Sequence, residues 1–153
     1  GHESSPMPPY EELFSSGRGF TNVDEARRFA AETGCDWLSV AIGNIHGAVS
    51  EGMKNRQKIR ARLNIEHLAK LQKATAIPLV LHGGSGIPKE LVLEAIKNGI
   101  AKVNVGTELR QAYEQTLEKT GRIAAAQDAV HARALQMIRD YFCVAGKRSV
   151  VNP

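Results

Sequence analysis

The sequence predicts an α/β fold in which parallel strands alternate with helices. Three stretches carry that prediction. Leu79-Val80-Leu81-His82-Gly83-Gly84-Ser85-Gly86 is a short apolar run that ends on a histidine, breaks into a glycine-serine turn and is followed by Pro88. Upstream, the run from Trp37 through Ile42 leads into Gly43-Asn44-Ile45-His46-Gly47. Downstream, the run from Ile100 to Val105 leads into Gly106, Thr107 and a helical stretch. Short apolar runs bounded by Pro or Gly read as buried strands. Strands that alternate with helices at this spacing argue for a parallel sheet with crossover connections. Small, polar and ligand-type residues gathered after each strand match the layout of a (β/α)8 TIM barrel. A complete barrel needs about 250 residues, whereas this chain has 153. The expectation is therefore part of a barrel.

Residues 1–20 are rich in Pro, Ser and Gly and read as a poorly ordered lead-in; 21–146 read as the partial barrel and 147–153 as a C-terminal tail. Thr21 is the expected hydroxyl cap of a helix over 24–33, with Ala26, Phe29 and Ala30 on one face and Gly34 as its stop. The first strand covers 37–42. The long polar connection from Ala48 to Arg62 has no clear periodicity. Asn64 caps a helix over 65–74 that turns Leu68 and Leu71 inward and leaves His67 on the surface. The second strand covers 78–81. Pro88 opens a helix that Gly99 closes, with Leu91, Val92, Ala95 and Ile96 as its apolar stripe. After the third strand, over 100–105, Thr107 caps a helix that Gly121 breaks. A last helix, 126–144, buries Val130, Ala134, Met137, Ile138 and Tyr141, with His131 beside that stripe.

Composition is that of an ordinary globular domain, 42% hydrophobic and 24% charged. No apolar run is long enough to span a membrane, and no signal peptide is visible. Cys35 and Cys143 are far apart and read as buried free thiols of a reducing, cytoplasmic compartment. The net charge of +4 is concentrated in part at Lys54, Arg56, Lys58, Arg60 and Arg62. That run suits a solvated face or an anionic ligand. With aromatics at 5% and none interleaved with the basic run, the pattern argues against nucleic acid.

His82 stands where strand meets turn, as a packed residue or as a ligand aimed into a site. The glycine turn is either a plain connection or an anion cradle, because such a turn before a helix presents N–H donors and a favourable dipole. His46 ends its own run in the same way. Two imidazoles can hold zinc, but a catalytic zinc takes three protein ligands, and the sequence offers no obvious third. Gly47, Gly83 and Ser85, with Gly106 and Thr107, can surround a phosphate through N–H and hydroxyl donors. Asn104 points to the same space and can both donate and accept.

Three motifs carry a family resemblance: Val40-Ala41-Ile42-Gly43-Asn44-Ile45-His46-Gly47, Ile77 through Gly86, and Lys102-Val103-Asn104-Val105-Gly106-Thr107-Glu108-Leu109. In order and spacing they resemble the closing part of the class II, metal-dependent ketose-bisphosphate aldolases. The resemblance runs from about Asp24 to Cys143 and implies the C-terminal portion of the (β/α)8 barrel. It also implies reversible cleavage of a ketose 1,6-bisphosphate, fructose or tagatose, to dihydroxyacetone phosphate and an aldehyde phosphate. His46 and His82 match two of three zinc (Zn2+) ligands. Gly47, Gly83, Ser85 and Thr107 match phosphate-binding positions, beside a monovalent-cation site (Na+ or K+). Asn104 matches the catalytic residue that holds the enediolate oxygen. Gly106 stands where some members carry Asp.

The family's third zinc histidine, its proton-abstracting aspartate and a further glutamate have no counterpart here. Three readings follow. One is an aldolase part whose barrel is completed by a remaining half. Another is a half-barrel that closes its sheet with a second copy, as a phosphate-binding or structural module without turnover. The third is an unrelated phosphate-binding α/β domain.

Overall fold

The structure, a computed structural model, describes residues 10–44, 62–147 and 149. His46, Gly47 and the basic residues Lys54, Arg56, Lys58 and Arg60 lie outside the described residues. The elements run α1 (Tyr10–Ser16), α2 (Val23–Thr33), β1 (Leu38–Val40), α3 (Ile65–Thr75), β2 (Leu79–Leu81), α4 (Lys89–Lys97), β3 (Ile100–Val103), α5 (Thr107–Thr120) and α6 (Ile123–Gln136), then a π-helical turn over Met137–Tyr141. The strands form a parallel sheet in the order β1-β2-β3. Leu38, Ser39 and Val40 face Leu79, Val80 and Leu81, while Leu79 and Leu81 face Ile100 and Val103, with an irregularity after Leu79.

The core lies between sheet and helices. Val40, Ile42, Leu79, Leu81 and Ile100 meet Ala26 of α2, Leu68 and Leu71 of α3, and Val92 and Ala95 of α4. β2 is buried along its whole length, as the middle of a parallel sheet should be. Ser39 and Lys102 on the flanking strands are exposed, and the Lys102 ammonium sits 5.2 Å from the centre of the Trp37 ring.

Several expectations change at the element ends. Within the expected lead-in, α1 forms because Phe14 packs edge-on to Phe20 and against Gly43 of the distant β1 end, a contact invisible to local composition. Asn22, not Thr21, caps α2, its side chain accepting from the Asp24 and Glu25 amides. The Thr21 hydroxyl instead accepts from the Ala41 amide at 2.8 Å. Phe29 is 50% exposed, so α2 is seated by buried Ala26 and Ala30 with half-buried Val23 packed against the core. Ile96 is likewise exposed on α4. His67 is not plain surface: its ring tilts against Phe20 and its Nε2 lies 2.8 Å from the Thr21 carbonyl oxygen.

The last helix begins earlier than expected and changes form at Met137. There the Phe142 amide donates to the Met137 carbonyl, a five-residue step that widens the turn. Tyr141 and Phe142 then pack on the core, and Ile138 stays outside. Cys143 follows in left-handed backbone (φ 55°) and is exposed, and Cys35 is half-buried, so neither thiol is buried as expected.

Candidate active site

The carboxyl ends of the three strands meet through two asparagines and a histidine. After β2, His82 is half-buried. After β3, the Asn104 amide N–H donates to the Leu81 carbonyl at 2.8 Å, and the Asn104 carbonyl accepts from the Gly84 amide at 3.0 Å. These bonds extend the β2–β3 pairing beyond the strands and bring the Asn104 side-chain nitrogen to 2.8 Å from His82 Nε2. The pair is complementary when the Asn104 amide donates to a bare Nε2, or when a turned amide accepts from Nε2–H. On the other flank, Asn44 Nδ2 donates to the His82 carbonyl at 2.8 Å. Asn44 Oδ1 accepts from the Ile42 amide at 3.0 Å.

The glycine turn folds back on β3. Gly83 and Gly86 take positive φ values of 67° and 79°, which glycine adopts without Cβ strain. Gly84 allows a close approach instead: a Cβ there would stand 2.5 Å from Val103 Cγ1 and 3.1 Å from the Asn104 carbonyl oxygen.

The turn also serves α5. The Ser85 hydroxyl accepts from the Glu108 amide at 3.3 Å, and Glu108 Oε1 accepts from the Gly86 amide at 3.2 Å. This reciprocal pair resembles a capping box whose two halves come from different segments. It replaces Thr107 as the cap, since Thr107 is the first helical residue and no side chain of the helix start itself caps α5. Arg133 of α6 holds the second Glu108 oxygen, and the Tyr141 hydroxyl donates to the Ile87 carbonyl. Burial, then the carboxylates of Glu108 and Glu90, push the Tyr141 phenol above its ordinary value.

Two turn amides, those of Gly84 and Gly86, are thus committed inside the fold. The Ser85–Glu108 and Gly84–Asn104 bonds join the turn that carries Gly83 and Ser85 to the segment that carries Gly106 and Thr107. Gly106 is exposed, and a Cβ there would meet no atom within 4 Å. The sequence marks none of Asn44, Glu108, Arg133 and Tyr141 as a site residue, and places Tyr141 only on the buried face of the last helix. Asn44 and Glu108 stand inside the quoted motifs, but no residue pattern signals their distant partners.

Zinc chemistry requires a donor set. Among the described residues no three His, Cys, Asp or Glu side chains are grouped to hold a metal ion. A catalytic zinc needs three protein ligands, so the described residues do not make a whole metal site. His82 is a single imidazole, with its Nε2 beside the Asn104 side chain.

A family model described as fructose-bisphosphate aldolase class-II matches residues 7–147. The chain belongs to the class II fructose-bisphosphate aldolase family. This aldolase-family chain is 44% identical over 103 residues to the Escherichia coli uncharacterized protein YdjI, covering 67% of this chain and 34% of that protein. It is 41% identical over 114 residues to the fructose-bisphosphate aldolase of Streptococcus pneumoniae, covering 74% of this chain and 36% of the relative. Among solved structures, the crystal structure of the YdjI aldolase from Escherichia coli superposes with a TM-score of 0.65 at 33% identity. That superposition covers 90% of this chain and 52% of the solved one. The chain therefore spans about a third of the length of these curated relatives. Its three parallel strands and their helices match part of the aldolase structures. Among the described residues, no helix is long and apolar enough to cross a membrane.

Proposed function

We propose that this chain supplies the C-terminal part of a class II aldolase barrel. In that role it contributes to reversible, metal-dependent cleavage of a ketose 1,6-bisphosphate into dihydroxyacetone phosphate and an aldehyde phosphate. The observation that carries the reading is the meeting of His82 and Asn104 at the strand ends, beside the glycine-serine turn, in a chain of this family. Class II aldolases are in general zinc-dependent. In the proposed assembly His82 and His46 are two of the metal ligands, and other ligands come from outside the described residues. Zinc supplies a Lewis acid for the ketone. This chain's own residues bind and orient: Asn104 holds the substrate oxygen at the reacting carbon, while Gly47, Gly83, Ser85, Gly106 and Thr107 receive the phosphate, with Na+ or K+ beside it. The proposed compartment is the cytoplasm.

The exposed Ser39 and Lys102 of the sheet, with Trp37 just before β1, leave room for a covering element, either the remaining barrel half or a second copy of the chain. Native mass, zinc content and release of dihydroxyacetone phosphate from fructose and tagatose 1,6-bisphosphate test the reading together. Chelator-sensitive release by a particle with about one zinc per barrel is the expected result. A zinc-free homo-oligomer without release would overturn it and favour the phosphate-binding module.

A further inference from the structure

Asn44 lies just past β1, where its amide spans two backbone groups that β pairing cannot join. The last β1–β2 pair is Val40↔Leu81. Beyond it, Asn44 Oδ1 accepts from the Ile42 amide at 3.0 Å, and Asn44 Nδ2 donates to the His82 carbonyl at 2.8 Å, across 38 residues. An amide N–H must meet an oxygen and a carbonyl must meet a donor, so one orientation of the side chain satisfies both. Neither Asp, Ser nor Leu can make the two bonds at once. The loop bearing Asn44 is seated firmly: Gly43 is at φ 104°, and the Phe14 ring occupies the space where a Cβ would project.

His82 is thereby held from both neighbouring strands. Asn104, from the β3 side, meets its ring; Asn44, from the β1 side, meets its backbone. The Asn104 backbone also holds the carbonyl of Leu81 and the amide of Gly84, and Asn44 adds the bond to the carbonyl of His82 itself. We propose that Asn44 is a positioning residue for His82, fixing the height at which its imidazole stands beside Asn104. This inference rests on the functional reading above, in which His82 belongs to the reacting site.

The test compares the protein with its Asn44→Asp and Asn44→Ala variants, observing 15N-labelled histidine rings by NMR and turnover of fructose 1,6-bisphosphate with zinc supplied. Asn44→Asp keeps the acceptor for Ile42 but sets a charged oxygen against the His82 carbonyl, whereas Asn44→Ala removes both bonds without adding charge, so a His82 shift shared by the two variants reports the lost bond. The His82 ring resonances, assigned with His82→Gln, are expected to shift while those of the exposed His131 stay in place. In parallel kcat falls about 10–100-fold, as for loss of groups that orient a ligand, with KM within about twofold. Should Asn44→Asp fail to fold, Asn44→Ser serves, with the same expected shift. His82 resonances that coincide with wild type in a folded variant would overturn the proposal. A wild-type native particle with about one zinc per barrel but without turnover would overturn the functional reading instead, and the ring resonances alone would then decide the role of Asn44.

Discussion

At the scale of single residues, hydrogen bonds decide the expected behaviour. Asn104 was legible as a polar group at a strand end, but its contact with His82 Nε2 gives it a second task. Asn104→Ala is therefore expected to weaken zinc retention as well as turnover, measured by competition with a chromophoric chelator. Unchanged zinc affinity with lost turnover would confine Asn104 to the substrate. Tyr141 offers a pH test. Its folded phenol is raised by burial and by Glu108 and Glu90, so the neutral form is favoured by folding. The stabilisation is fully present below the ordinary tyrosine value near 10 and is lost as pH rises through the higher folded value. Tyr141→Phe also removes the bond to the Ile87 carbonyl, at a cost of about 1 kcal/mol. A fall of about 2–4 °C in Tm at neutral pH is expected, with a smaller loss between neutral and strongly alkaline pH than in wild type. Parallel Tm-against-pH curves for the two proteins would sink this account.

Elements differ in how much of their definition is local. Asn64 caps α3 through the His67 amide, and Gly121 closes α5 in left-handed backbone, both as their residue types suggest. The start of α5 is different, because its capping hydroxyl comes from Ser85, 23 residues away in sequence. Ser85→Ala is expected to cost about 1 kcal/mol, like loss of an ordinary cap, read by thermal unfolding. No change in Tm would mean that the Ser85–Glu108 bond adds nothing net. Gly84→Ala is more severe. Its Cβ would collide with Val103 and crowd the Asn104 carbonyl, and overpacking of this kind costs about 1–3 kcal/mol. Because the strain falls on the Gly84–Asn104 bond, NMR should also report a displaced His82 ring. A stable variant with an unmoved ring would show that β3 yields without disturbing the site.

For the whole molecule, the partition of the sheet matters most. β2 is buried throughout, while β1 and β3 keep exposed positions and Trp37 is 56% exposed. A parallel sheet ordinarily has both faces covered. Trp37→Ala is therefore expected to lower the native particle mass or make it concentration-dependent, since it removes apolar area from the uncovered side, as measured by light scattering. Unchanged mass across a hundredfold dilution would exclude Trp37 from any contact between polypeptides.

The sequence by itself determined the order and type of the main elements, the three strand-end motifs and the family. The elements follow from short apolar runs, glycine stops and the Asn64 cap, whose effects reach only a few residues, and the family from the resemblance of the three motifs. Tertiary structure decided α1, which depends on Phe14 meeting Gly43, and the π-helical turn that brings Tyr141 to Ile87. It also decided the Asn44–His82–Asn104 constellation. The physical reason is the same in each case: a hydrogen bond or ring contact between segments far apart in sequence leaves no periodic trace in either segment, and for Asn44, His82 and Asn104 it is the parallel registration of β1, β2 and β3 that brings the partners within reach.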